Sequence, residues 1–317
     1  MDLFYKKSNI DFMGIKKITA LISIILVVTS LSFVFIKGLN WGIDFTGGYQ
    51  IQASYNQPPN IQSVKKALST AGLKNSEVIT FGSAKQIMIR LMPSTHILKN
   101  QHISKDGTTS QQVLQAKVQG ILGSKATISS VNYIGPQVGK ELATNGFLAL
   151  VVAMICIMGY IAFRFEMKFA FSAGIALLHD PIIILGVFSA FGLEFNLTSL
   201  AAILAVIGYS LNDTVVIYDR IRENFRKIRK VSVNEIINRS VNDTLSRTVI
   251  TSLLTLIVCI VLFFLGGPSI HEFSLALILG VIVGTYSSIY IAGTLAVLFG
   301  LKREDLLPPT PIKDDMP

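Results

Sequence analysis

The sequence predicts an α-helical polytopic membrane protein with six transmembrane helices and a small ferredoxin-like α+β domain inserted after the first. Three observations predict it. Of the 317 residues, 51% are hydrophobic and 15% charged, far from the balance of an ordinary soluble domain. A hydrocarbon layer about 30 Å thick takes roughly 20 apolar helical residues to cross, and six runs of about that length recur along the chain. The basic residues behind the formal net charge of +9 gather beside one set of helix ends.

In order, residues 1–18 carry Lys6, Lys7, Lys16 and Lys17 and precede a first span at 19–36. Lys37-Gly38-Leu39-Asn40-Trp41 offers no small-x-small cleavage pattern, so the span is expected to be retained. Residues 38–142 form the inserted domain, and three spans follow at 143–163, 169–191 and 197–218. A basic loop, 219–246, holds Arg220, Arg222, Arg226, Lys227, Arg229, Lys230 and Arg239. Spans at 248–265 and 273–299 and a tail at 300–317 with Lys302 and Arg303 complete the chain. Connections 192–196 and 266–272 carry no Lys or Arg. The positive-inside bias therefore places both termini and the basic loop in the cytoplasm and the inserted domain in the periplasm. Charge distributed in this way argues for a membrane flank and against nucleic acid. Cys156 and Cys259 lie within spans and read as packing residues, with no disulfide framework or metal site implied.

Within the outward domain, residues 49–55 alternate faces as a half-buried strand does. Asn60 is placed to cap a helix carrying Ile61, Val64, Leu68 and Leu73, which Gly72 stops. Two short strands, 77–81 and 86–91, flank Gly82-Ser83. A helix at 109–122 and a strand at 126–133 complete the order β-α-β-β-α-β, which suggests a ferredoxin-like layer. The alternative is an irregular extramembrane loop, against which its length argues. His96 and His102 stand in a polar stretch, 93–107, with no clustered Cys or carboxylate, and read as a solvated loop rather than a metal site. No nucleophile-base-acid set, Walker glycine loop or HExxH is present, so neither an enzyme nor a cofactor is expected.

Ionisable groups inside spans are costly and point to function. His179-Asp180-Pro181 falls near the middle of the third span, about 11 residues or roughly 16 Å from its start. The proline frees a backbone carbonyl and allows a kink; the alternative is a static polar contact between helices. In the fourth span Ser210, Asp213, Thr214 and Ile217 share a face beside Asn212. Asp213 lies about five residues, roughly 8 Å, inside its end, where a charged carboxylate is costly unless a cation compensates. Arg220 is one available partner. Arg247 is the better one, in a stripe of Thr244, Arg247, Thr248, Thr251, Ser252 and Thr255 that opens the fifth span. An Asp that trades a proton for an arginine is a simple switch; a static buried ion pair is the alternative. Gly280, Gly284, Ser288 and Ala292 form a small-residue ridge for close packing in the sixth span.

Several segments resemble the SecD/SecF family of protein-export membrane proteins. Gly42-Ile43-Asp44-Phe45-Thr46-Gly47-Gly48 is similar to its first signature, Ile134-Gly135-Pro136-Gln137-Val138-Gly139-Lys140-Glu141-Leu142 to its second and His179-Asp180 to its third. Gly208 to Val216, Asp219-Arg220-Ile221-Arg222-Glu223-Asn224 and Asn242-Asp243-Thr244-Leu245-Ser246-Arg247-Thr248 follow in the family's order. The resemblance covers nearly the whole chain. It implies half of a resistance-nodulation-division transporter, a SecD partner, association with the SecYEG channel and often YajC, and use of the proton-motive force on translocating polypeptide. It assigns Asp213 and Arg247 to proton transport; His179, Asp180, Ser210, Asn212, Thr214 and Thr248 stand as supporting polar residues on the reading of the spans themselves.

Without that resemblance, Gly42, Gly47 and Gly48 read as a turn into the strand at Tyr49, with Asp44 as a local acceptor and Phe45 beside it. Gly135, Pro136 and Gly139 read as a linker into the second span. Two rival readings stand: a small-molecule or lipid exporter of the same superfamily, and a non-transporting scaffold.

Overall fold

A computed structural model describes residues 8–302 except 74–75, 82, 92–109, 229 and 268–269. The stretch 93–107 with its two histidines and the tail from 303 lie outside the described residues. Among those described, six helices are long and apolar enough to cross a membrane. They are α1 (Lys16–Lys37), α5 (Pro136–Arg164), α6 (Met167–Phe191), α7 (Leu197–Lys227), α8 (Val233–Leu265) and a composite last helix. That last helix runs as α9 (His271–Tyr286), a π-helical turn (Ser287–Ala292) and α10 (Gly293–Leu298).

Burial follows composition. The helices α6, α7 and α9 carry the small and polar residues and form the interior. Apolar side chains such as Val28 and Phe35 on α1, Phe147 and Ile155 on α5 and Leu254 and Val258 on α8 stand exposed, as lipid-facing surfaces do. Glycines set the closest approaches: a Cβ on Gly186 of α6 would strike Ser30 of α1, and one on Gly280 of α9 would strike Val206 of α7. The ridge expected from Gly280 and Gly284 thus lies against α7.

The inserted domain contains β2 (Gly48–Tyr55), α3 (Ile61–Thr70), β3 (Ser76–Phe81), β4 (Ser83–Leu91), α4 (Ser110–Leu122) and β5 (Ala126–Ile134). Its sheet order is β3-β4-β2-β5 with antiparallel neighbours, the ferredoxin-like arrangement. Ile51 of β2 pairs with Ile89 on one side and Val131 on the other, so the alternating apolar set of β2 falls on the face covered by Leu68 of α3 and Val118 of α4. Asn60 caps α3, accepting from the backbone amides of Gln62 and Ser63 at 3.0 and 3.2 Å.

Two expectations need correction. Residues 134–142 are not a linker. Pro136 occupies the first turn of α5 after Gly135, where its fixed φ and missing N–H suit a helix start, and the helix runs unbroken into the membrane. Residues 219–246 are mostly helix rather than loop, because Ile221, Phe225, Ile236 and Ile237 keep the 3.6-residue apolar period and are buried while the charges take the outer face. Only residues 228–232 connect α7 to α8, and Ser232 caps α8 by accepting from the Glu235 amide. The short connection at 192–196 adds a contact that the sequence did not signal. Its strand β6 (Glu194–Phe195) pairs in parallel with β1 (Asn40–Trp41), just after α1.

Candidate functional site

The centre of the bundle holds a polar layer built by α6, α7 and the π-helical turn. Asp180 is fully buried. Its Oδ2 accepts from the Ser210 hydroxyl of α7 at 2.7 Å and from the Ser287 hydroxyl at 3.0 Å, and its Oδ1 lies 3.0 Å from His179 Nδ1. His179 Nε2 is buried without a hydrogen-bond partner among the described residues. His179 also borders an apolar cavity of about 490 Å³ between α1, α6 and α10.

The π-helical turn widens the helix where both serines are used. Successive residues of a regular helix point about 100° apart; here Ser287 reaches Asp180 while Ser288 donates to the Ser210 carbonyl at 3.1 Å and lies 2.9 Å from the Thr214 hydroxyl. Such turns recur at functional sites. Gly284 makes room, since a Cβ there would stand 3.1 Å from Ser210 Cβ and 3.4 Å from Asp180 Oδ2. Ser287 and the turn itself were invisible to periodicity, because four-residue spacing marks Ser288 and passes over its neighbour.

Asp213 precedes Thr214, is 3% exposed, and its Oδ2 has no hydrogen-bond partner among the described residues. Arg247 is the cation whose charge acts on it, yet no ion pair joins the two. The buried edge of α8 runs through Thr244, Thr248 and Ser252, and Arg247 stands one residue round from Thr248 on the exposed side. The closed pair expected from sequence is therefore open. Arg220 is committed elsewhere, to Glu223 at 2.6 Å and Asp243 of α8 at 2.8 Å. Of the supporting residues, Ser210 and Thr214 join the layer. Thr248 is buried with its hydroxyl unpartnered among the described residues, and Asn212 is exposed outside it.

The glycine signatures meet each other. The helical turn α2 (Ile43–Thr46) ends at Gly47, with φ +70°, followed by Gly48 at +132°. A Cβ on Gly47 would stand 2.7 Å from Pro136 Cα, and one on Gly139 would stand 3.0 Å from both Gly47 N and Phe45 O. Gly42 donates its amide to Phe195 of β6 at 2.8 Å. Asp44 is not the local acceptor its turn suggested: it accepts from the amide of Leu197, at the start of α7. Phe45 stacks on Phe195 with ring centres 5.8 Å apart.

A second junction lies beside it. Arg90 of β4, nearly fully buried, pairs with Glu77 of β3 at 3.2 Å and with Glu194 of β6. Burial pushes its guanidinium below the ordinary value and Glu77 pulls it back. Periodicity gave no hint of Arg90, which occupies a strand position that reads as core.

Comparison with known proteins gives consistent relatives. Residues 113–302 match the family model of the protein export membrane protein SecD/SecF C-terminal region, and residues 32–59 match that of the SecD/SecF GG motif. The chain is 44% identical over 322 residues to the protein translocase subunit SecF of Vibrio alginolyticus, covering 98% of each. It is also 44% identical over 304 residues to that of Pseudomonas aeruginosa, covering 96% of each. The crystal structure of SecDF, a translocon-associated membrane protein from Thermus thermophilus, matches with a TM-score of 0.83 at 34% identity over 93% of this chain. SecDF in a super-membrane-facing form matches with a TM-score of 0.67 at the same identity and coverage. The chain spans 39% of the length of each SecDF chain.

Proposed function

The chain belongs to the SecD/SecF family of protein-export membrane proteins, as a SecF-type translocase subunit of the bacterial inner membrane, and we propose that it uses the proton-motive force to promote late steps of polypeptide export. The observation that carries this reading is Asp213, a carboxylate inside a membrane span, buried, with an oxygen left without a partner and a cation nearby but unbonded. Such a group accepts a proton without first breaking a strong pair, and its charge state sets how strongly Arg247 is drawn toward it. Thr214, its neighbour, leads through Ser288 and the backbone of Ser210 to Asp180 and His179, so a change at Asp213 bears on the contact between α7 and the last helix.

The chain holds one six-helix unit and is 39% of the length of the SecDF chains it matches, which supports a SecD partner supplying the other unit. The SecYEG channel and YajC complete the assembly we propose. Both termini and the α7–α8 connection lie in the cytoplasm in this reading, with the ferredoxin-like domain in the periplasm near emerging polypeptide. It is a translocase subunit rather than an enzyme.

The test is export of a secretory precursor into inverted vesicles containing SecD and either the native chain or Asp213→Asn, with and without a proton gradient. Stimulation by the gradient is expected only with the native chain. Equal stimulation at equal protein level sinks the proposal and leaves Asp213 a structural group.

A further inference from the structure

Where α5 ends and α7 leaves the bundle, Arg164, Asp219, Arg222, Glu223, Arg226 and Lys227 surround a cavity of about 440 Å³. Four cations and two carboxylates line it, and the carboxylates do not neutralise the cations evenly. Glu223 is taken by Lys227 and by Arg220 from outside the cavity. Asp219 meets Arg164 at 3.5 Å, with both side chains open to solvent. Among the described residues Arg222 donates only to the Arg164 carbonyl, at 3.3 Å, and neither it nor Arg226 has a carboxylate partner. Asp219, Arg222 and Arg226, at spacings of three and four, share one face of α7.

A flank that merely follows the positive-inside bias spreads its cations into water. Here cations from two helices converge on one space, at the end of α5 and just beyond the apolar part of α7. Phe163, next to Arg164, is 94% exposed, and Tyr160, one turn earlier on α5, is 53% exposed. Arg222 donates to the Arg164 carbonyl and so stands level with the end of α5, where an acyl chain lying along Phe163 and Tyr160 would bring its phosphate to the mouth of the cavity. Basic pockets of this kind between transmembrane helices suit anionic headgroups, and planar guanidinium forks suit phosphate oxygens.

We propose that this cavity binds the headgroup of an anionic phospholipid, with Arg222 and Arg226 as its principal ligands and Arg164 as a third that Asp219 holds in reserve. The site is separate from the polar layer and does not depend on the proton reading.

The test is native mass spectrometry of the full chain, purified in detergent and equilibrated with equal amounts of phosphatidylglycerol and phosphatidylcholine. The native chain should retain phosphatidylglycerol at least fivefold over phosphatidylcholine. The double variant Arg222→Gln, Arg226→Gln should lose most of that preference, whereas Lys65→Gln, Lys66→Gln on the inserted domain should keep it. Asp219→Asn, which releases Arg164, should raise retention about twofold, a gain that no folding defect imitates. Equal retention of the two lipids by the native chain, or unchanged preference in the double variant, overturns the site. Displacement of the lipid by millimolar inorganic phosphate overturns the lipid as its occupant and leaves a soluble-anion site.

Discussion

The carboxylate of Asp44, in the one-turn helix after the first span, accepts a 2.9 Å hydrogen bond from the amide of Leu197, 153 residues further on. Leu197 opens α7, the helix that carries Asp213. An acidic acceptor here satisfies one of the amides a helix start leaves free and meets the positive end of its dipole. Asp44→Ala should therefore cost about 1 kcal/mol, as loss of a cap does, and lower the melting temperature of the detergent-purified chain by roughly 2 °C. Asp44→Asn, which keeps an acceptor and loses the charge, should recover about half. An alanine variant that melts like the native chain would show the bond to be incidental.

The buried Arg90 and Glu194 tie the inserted domain to the strand between α6 and α7. Removing Arg90 leaves the buried Glu194 without its cation, and Arg90→Ala should cost about 3–5 kcal/mol; Glu194→Ala leaves Arg90 paired with Glu77 and should cost less. The double substitution should cost less than the sum by roughly 0.5–3 kcal/mol, the signature of a direct pair. Trp41, the chain's single tryptophan, pairs with Phe195 beside Glu194, so its fluorescence during unfolding reads this junction. Additive losses would mean that Glu77 alone satisfies Arg90.

Much of this fold was legible beforehand because its signals are local. Span length, the two-residue alternation of 49–55 and the Asn60 cap depend on near neighbours, and the six spans and the order of the inserted domain follow from them. What escaped depends on tertiary contact. The partner of Asp44 is 153 residues away, the β1–β6 pair is two residues long, and Arg90 is stabilised by carboxylates brought from two other strands. Charge also misled: the many cations of 219–246 masked the apolar period of Ile221, Phe225, Ile236 and Ile237 beneath them. In the bundle, Asp180 and Ser210 were singled out by polarity, but that they share one bond follows only from the approach that Gly284 permits.

Glycines separate tight contact from open space. At Gly139 a Cβ would press backbone atoms of Phe45 and Gly47 at 3.0 Å, with no flexible side chain to yield. Gly139→Val should therefore cost about 1–3 kcal/mol by overpacking. Gly120, within α4, has nothing within 4 Å of a Cβ, so Gly120→Ala should stabilise by about 0.5–1 kcal/mol through helix propensity. Thermal unfolding of both variants checks the pair. A harmless Gly139→Val would mean that the two glycine signatures do not need to touch.

Asp180 is the shared acceptor of the polar layer, and its loss should exceed that of any one donor. Ser210→Ala removes one hydroxyl bond and should cost about 0.6 kcal/mol, at most roughly 2, as such bonds do inside membranes. Asp180→Ala removes the acceptor of the Ser210 hydroxyl and the carboxylate beside His179 Nδ1, and leaves the Ser287 hydroxyl with the Gly284 carbonyl alone, so its cost should be several times larger. In the Asp180→Ala background, Ser210→Ala should then cost almost nothing, because the hydroxyl it removes has already lost its partner. Denaturation of the four chains in detergent measures the cycle. If the two losses simply add, Ser210 is stabilised by something other than Asp180, and the connection from Thr214 through Ser288 to the His179–Asp180 pair is broken at that point.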